Sequence, residues 1–436
     1  MNFKILYVIS FFVVLTKEDF LFMKKIVTLT ALGVILAASQ ANAAGFHLRE
    51  QSAAAQGNAF AGATAGAENN SYSYFNVAGL TRQKGTQVNL GGTYIAPEAS
   101  AGNIRGVAGE TGDVHNIVHA AIAPNGTISH QLNDEVTLGL ALNVPFGMIT
   151  KYDRNWAGSD HGLTSKVTTV TTTPMVAWKA TDKLSIGAGL PIQYVKARLT
   201  NTVAKAGYAE MEGDTVDVGY QLGAMYELND TTRFGVNYRS EINHKLKGDI
   251  KSTLPVPFLN QDITARLDTP AMLSVGAYHE INDKWAVMAE YQRVFWNSFD
   301  SLDIYGETAG NPLLNNGNLV SSTKENWRDT NFYALGASYQ IDNQWKARFG
   351  LAYDESAVKL ADRTPRIPDS DRIWYSAGLG YQYNEKLSFD MAFTYIQAKD
   401  ASINMAGTKN SASGADVKAD YKNSVKMWGL SLNYKF

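Results

Sequence analysis

The stretch Trp428-Gly429-Leu430-Ser431-Leu432-Asn433-Tyr434-Lys435-Phe436 decides the fold. Successive side chains of a strand point to opposite faces, so Trp428, Leu430, Leu432, Tyr434 and Phe436 share one face and Gly429, Ser431, Asn433 and Lys435 the other. A second stretch repeats the pattern, with Val216, Val218, Tyr220, Leu222, Ala224, Tyr226 and Leu228 set against Thr215, Asp217, Gly219, Gln221, Gly223 and Glu227. Strands of globular proteins run to about 5–6 residues, whereas about 9–11 are needed to cross a bilayer. Runs of this length therefore predict membrane-spanning strands. Barrels of the outer membrane commonly end in an aromatic residue that the assembly machinery reads, and Phe436 fits that role.

Composition agrees. Charged residues make up 18% of the 436 residues, and beyond the N-terminus no uninterrupted apolar stretch is long enough for a spanning helix. The 37 Gly, 22 Tyr, 18 Phe and 8 Trp suit strands, with aromatic residues available for the two membrane interfaces. A formal charge of -2 gives no bulk attraction to nucleic acid. With no Cys, thiol catalysis, thiolate metal sites and disulfides are excluded.

From Met23 the chain has the form of a secretory leader. Lys24 and Lys25 precede an apolar core from Ile26 to Ala38, and Ala41-Asn42-Ala43 supplies small residues for cleavage. The mature chain is expected to begin at Ala44. An earlier apolar run, Ile5 to Leu15, is broken by Lys17, Glu18 and Asp19 before it reaches spanning length. Three regions follow: an upstream extension and leader at 1–43, an N-terminal segment at 44–86 and a barrel at 87–436. Gln51 to Asn70 is dense in Ala, Gly, Ser and Asn and shows no sustained alternation, so it is no additional strand. Composition alone leaves a plug inside the lumen and a flexible periplasmic extension both open.

Short turns rich in Asn and Asp occur at Leu132-Asn133-Asp134, Thr181-Asp182-Lys183, Leu228-Asn229-Asp230, Ile281-Asn282-Asp283, Ile341-Asp342-Asn343 and Tyr383-Asn384-Glu385. Longer, less periodic stretches lie near 96–116, 150–165, 200–215, 250–262, 306–328, 355–371 and 402–423. Short periplasmic turns alternating with long external loops mark outer-membrane barrels, and these connections join fourteen strands. The least regular strand is the one between His115 and His130.

At this point the sequence resembles the family of outer-membrane long-chain fatty acid transporters, which includes channels for aromatic hydrocarbons. Ala44-Gly45-Phe46, Ser52, Gly57, Ala59 and Gly62 look like its opening segment. Asn76-Val77-Ala78 stands where the family has Asn-Pro-Ala, with Val77 replacing the proline. The most specific match is Ile367-Pro368-Asp369-Ser370-Asp371-Arg372-Ile373-Trp374-Tyr375-Ser376-Ala377-Gly378; Trp327, Asp329 and Gly336 fit a further pattern. The resemblance implies an all-β membrane protein, a 14-stranded antiparallel barrel with an N-terminal helical hatch in its lumen. It also implies a kinked third strand that opens the wall sideways, at Asn143-Val144-Pro145-Phe146-Gly147. Pro145 lacks a donor for the ladder and Gly147 a side chain to pack, so pairing should weaken there.

The same resemblance implies ligand contacts at Phe46, Arg198 and Lys324, the two cations serving the carboxylate of a fatty acid. Asp369, Asp371, Arg366 and Arg372 have no nucleophile beside them and read as a salt-bridge cluster. No His-Glu-x-x-His spacing or phosphate loop is present, so neither an enzyme nor a cofactor is expected. The implied function is transport of hydrophobic small molecules, most of all long-chain fatty acids, by a monomer in the outer membrane of a Gram-negative bacterium. The partners are the ligand, the surrounding lipids and, through the last strand, the assembly machinery. Rival readings are an aromatic hydrocarbon channel, an open porin, and an adhesin or receptor acting through loops 306–328 and 402–423.

Overall fold

The computed structural model describes residues 45–106, 109–110, 112–203, 205–254, 260–306, 319–406, 408–411 and 416–436. The leader, the run before it and Ala44 lie outside the described residues. Fourteen antiparallel spans form one closed sheet. They are Thr86–Gly106 (β1), Ala121–Gln131 (β2), Val136–Asn143 with Gly147–Lys151 (β3), Thr164–Lys179 (β4), Leu184–Gly189 with Ile192–Val203 (β5), Gly207–Val218 with Gln221–Asn229 (β6), Thr232–Arg239 with Lys245–Ser252 (β7), Gln261–Arg266 with Met272–Glu280 (β8), Trp285–Val294 with Ser301–Gly306 (β9), Leu319–Lys324 with Thr330–Gln340 (β10), Trp345–Asp354 (β11), Arg372–Gln382 (β12), Leu387–Ala398 with Ala401–Asn404 (β13) and Val417–Lys435 (β14). Pairing of β1 with β14, from Gln87↔Lys435 to Gly106↔Val417, closes the barrel. The irregular strand expected between His115 and His130 is β2, starting at Ala121.

The short turns form as their residues dictate. Asn133 Oδ1 accepts from the backbone N–H of Glu135 and Val136 at 2.9 and 2.8 Å, and Asn282, Asp342 and Asn384 repeat the motif. These turns share the end of the barrel where Phe436 N–H donates to Thr86 O at 3.0 Å, which marks that end as periplasmic. Two aromatic belts follow on the outer face. Trp285 packs on Tyr339 at 4.7 Å and Trp345 on Tyr381 at 4.5 Å near the turns, while Tyr291 packs on Tyr333 at 5.4 Å further out.

Several strands run well past the outer belt, which corrects the reading of 96–116, 200–215 and 402–423 as loops. In β14 the even-numbered residues face outward throughout. Within the bilayer these are Trp428 and Leu430; beyond it they are Lys418, Asp420 and Lys422, while Val417, Ala419 and Tyr421 turn inward. The apolar face thus changes sides where lipid gives way to water. Hydropathy periodicity breaks at that phase change although the backbone continues.

The N-terminal segment fills the lumen as a hatch. It contains helices α1 (Ala53–Gly57) and α2 (Ala63–Gly66) and 3-10 turns at Asn70–Tyr74 and Val77–Arg82. Ser52 caps α1 through its side chain, and Asn69 and Asn76 cap the two 3-10 turns. The hatch is tied to the wall by charge as well as packing. Glu68 pairs with Arg348 at 2.8 Å and Lys346 at 3.4 Å, and Arg348 bridges onward to Asp390 at 3.0 Å. Burial alone would raise the Glu68 carboxyl, yet these two cations hold it below its usual range. Arg233 donates to the carbonyls of Ala65 and Gly66 at 2.7 and 2.6 Å, at the carbonyl end of α2.

Candidate functional site

The site begins at Pro145. The β2–β3 ladder runs from Gln131↔Thr137 to Gly126↔Leu142 and stops. Beyond it Ala121–Asn125 pair with β1, and Gly147–Lys151 pair with β4 alone. A discontinuity in the wall therefore lies at Asn143 to Gly147. The backbone groups released there are satisfied from inside the lumen. Leu48 N–H donates to Pro145 O at 2.8 Å and Gly147 N–H to Phe46 O at 2.7 Å, so residues 46–48 stand in for the missing strand. Gln51 completes the clamp, donating to Val144 O at 2.8 Å and accepting from Val144 N–H at 3.1 Å and Asn143 Nδ2 at 3.2 Å. Every buried polar backbone group needs such a partner.

Phe46 is carried into an aromatic cluster with Phe146, Trp296, Phe299 and Trp327, at centroid distances of 5.8, 4.8, 5.9 and 5.7 Å. Gly45 makes this approach feasible. Its φ is +61°, and a Cβ there would lie 2.6 Å from the Trp327 ring. Its N–H donates to Asp369 Oδ2 at 3.0 Å, anchoring the strand substitute to the loop before β12.

Phe46 also forms one wall of a cavity with about 720 Å³ of empty space, part of it open to solvent. Met148, Val167, Leu199, Met211, Leu246 and Ile263 are among its lining. Predominantly apolar walls with a few polar groups among them are typical of ligand sites. Three charged residues also line it, Glu212, Glu325 and Arg366, and the Glu212 carboxylate is taken by Lys196 at 2.6 Å. Arg366 Nη1 donates to Ser165 Oγ at 3.0 Å, and Glu325 Oε2 accepts from Trp327 Nε1 at 2.9 Å. Burial raises the Glu325 carboxyl to about 8 and lowers Arg366 to about 10.

The expected ligand contacts separate. Phe46, Pro145, Phe146 and Gly147 come together as described. Arg198 does not join them: Ala197 and Leu199 line the cavity, so Arg198 points to the opposite face of β5, where Glu210 takes it in two bonds of 2.9 Å. Lys324 lies on the β10 face shared with Ser322, which bonds Asp303 across the strand, while its neighbour Glu325 enters the cavity. Alternation within Tyr194 to Arg198 carried this information, since the outward face of β5 continues through Tyr194, Lys196 and Arg198.

The expected salt-bridge cluster forms around Asp369 and Asp371 but loses one member. Asp369 bonds Arg372, and Asp371 meets Lys399 at 3.2 Å and Arg328 at 3.7 Å, while Arg366 turns away into the cavity. Asn76 begins its 3-10 turn, its Oδ1 accepting from Ala78 N–H at 3.0 Å and its Nδ2 donating to Ala224 O at 3.0 Å. Val77 is fully buried against Leu80, Ala141, Met175 and Ala177, so packing holds the turn without a proline. Among the described residues no group of three or more His, Asp or Glu is placed to hold a metal.

Residues 34–436 match the family model described as outer membrane protein transport protein (OMPP1/FadL/TodX). A putative outer membrane protein of Neisseria meningitidis is 31% identical, over 94% of this chain and 98% of its own length. A long-chain fatty acid transport protein of Escherichia coli is 27% identical, over 93% and 97%. Among solved structures, a Pseudomonas aeruginosa FadL homologue superposes with a TM-score of 0.81 at 25% identity, covering 90% of this chain and 100% of its own. The Ralstonia pickettii toluene transporter TbuX shares the fold, with a TM-score of 0.63 at 20% identity, covering 84% and 94%.

Proposed function

Because the chain belongs to the OMPP1/FadL/TodX family of outer membrane transport proteins, and so carries hydrophobic small molecules across that membrane, we propose that its cargo is long-chain fatty acids released sideways at the β3 kink. One observation carries this reading. An almost wholly apolar cavity is separated from the discontinuity between β2 and β3 by a shared aromatic cluster, to which the hatch contributes Phe46 and the kink Phe146. A shift of the N-terminal segment would join the two. An acyl chain then passes from the cavity into the bilayer without crossing the polar lumen, where its desolvated tail would return to water.

The second reading, an aromatic hydrocarbon channel, is favoured by the solved relatives that transport toluene. It uses the same cavity and the same exit. The two are separated by uptake of labelled oleate and labelled toluene into cells with and without the protein. The fatty acid reading expects the protein to raise oleate uptake several-fold and toluene uptake little. Raised toluene uptake with unchanged oleate uptake supports the hydrocarbon reading, and equal uptake of both by both strains removes the transport proposal.

A further inference from the structure

Most of the buried arginines among the described residues are given counter-charges. Arg49 lies 3.7 Å from Asp354, Arg348 bonds Glu68 and Asp390, and Arg372 bonds Asp369. Arg366 differs. It is 9% exposed, and no carboxylate of the described residues lies within ion-pair distance of it. Its Nη1 donates to Ser165 Oγ at 3.0 Å and meets Thr164 O at 3.5 Å. Its backbone is fixed as well, since Thr150 Oγ1 donates to its carbonyl at 3.0 Å. A guanidinium has five N–H donors, and these two contacts use Nη1 alone.

A buried cation without an anion is destabilising unless a charge or a set of acceptors is brought to it. Glu325 lines the same cavity without supplying that charge. Its Oε2 is engaged by Trp327 Nε1 at 2.9 Å, and with the carboxyl raised to about 8 it is largely neutral at pH 7. Glu212, the other acidic residue of the lining, is paired with Lys196 at 2.6 Å, so Arg366 is left as a cation at the edge of a hydrocarbon surface.

We infer that Arg366 is the head-group anchor of this cavity, taking the carboxylate of an acyl chain whose tail lies along Val167, Leu199, Met211 and Leu246, and so selecting acids over uncharged hydrocarbons. The inference rests on the reading of this cavity as the cargo site. A planar guanidinium bonds a carboxylate through two parallel N–H···O contacts, stronger than neutral hydrogen bonds. A methyl ester of the same chain fills the same volume but brings no charge. The role expected at Arg198 thus passes to a residue from another element, the loop between β11 and β12, because Arg198 is turned outward and held by Glu210.

The test is titration of tryptophan fluorescence of the purified full-length barrel with laurate and, separately, with methyl laurate, since Trp296 and Trp327 pack on Phe46 beside the cavity. Variants Arg366→Met and Arg366→Lys are compared, each checked for the folded barrel by its heat-modifiable mobility on a gel. Arg366→Met is expected to weaken laurate at least tenfold while methyl laurate stays within twofold; Arg366→Lys should keep most of the laurate affinity. Laurate unaffected by Arg366→Met, or laurate and methyl laurate weakened alike, overturns the anchor and leaves the cargo cavity standing. If neither ligand binds the unaltered protein, the cavity reading falls with it.

Discussion

Glu325 gives the site a pH dependence whose sign follows from its burial. The groups that face it are Trp327, which donates to it, Arg366, which favours its ionised form, and Asp362, which opposes that form. With its carboxyl raised to about 8, the folded chain holds a proton that the unfolded chain releases near 4.5. This contribution to stability is complete below about 4.5 and is lost as pH rises through 8. Above 8 the new carboxylate competes for Arg366 and repels an incoming acid. Laurate affinity is therefore expected to fall about tenfold between pH 7 and pH 9.5, an estimate equal to roughly 1.4 kcal/mol of competition. Glu325→Gln should flatten the profile to within twofold, and an undiminished fall in that variant would show that another group titrates.

At the level of elements, hatch and wall are fitted by absence of side chains. Gly187 pairs directly with Gly223, Gly235 with Gly276, and Gly336 with Gly350 across neighbouring strands. At Gly235 a Cβ would collide with the carbonyl of Thr64 in α2, so the hatch backbone rests against the barrel backbone. Gly235→Val is expected to unseat α2 by about 1–3 kcal/mol, the usual cost of overpacking. Limited trypsin digestion should then cut within residues 45–82 several-fold faster than in the unaltered protein. Unchanged cleavage would mean that the hatch is held by its ion pairs alone.

On the scale of the whole molecule, fourteen strands enclose a lumen that the hatch occupies, with Glu68 and Arg233 fixing its periplasmic side. Aqueous porins keep an open channel within about 16–18 strands. In planar bilayers the intact barrel should pass little steady ionic current, and removal of residues 45–82 should raise it at least tenfold. A large steady conductance from the intact protein would contradict a route that avoids the lumen.

The sequence by itself determined the barrel, its strand count and its polarity, because a strand in lipid must alternate and a two-ended membrane sorts short turns from long loops. The kink was implied only by the family resemblance, since a missing donor alone does not break a strand: Pro97, Pro124 and Pro174 lie within continuous ones. The loops read at 200–215 and 402–423 were misjudged for one physical reason: alternation changes phase at the water interface, as Lys418 to Lys422 show. Only the tertiary structure decided which charges reach the cargo. Whether Arg198 or Arg366 enters the cavity depends on strand facing and on where a long connection folds back, and Phe46 meets Phe146 only because residues 46–48 replace the strand that β3 abandons.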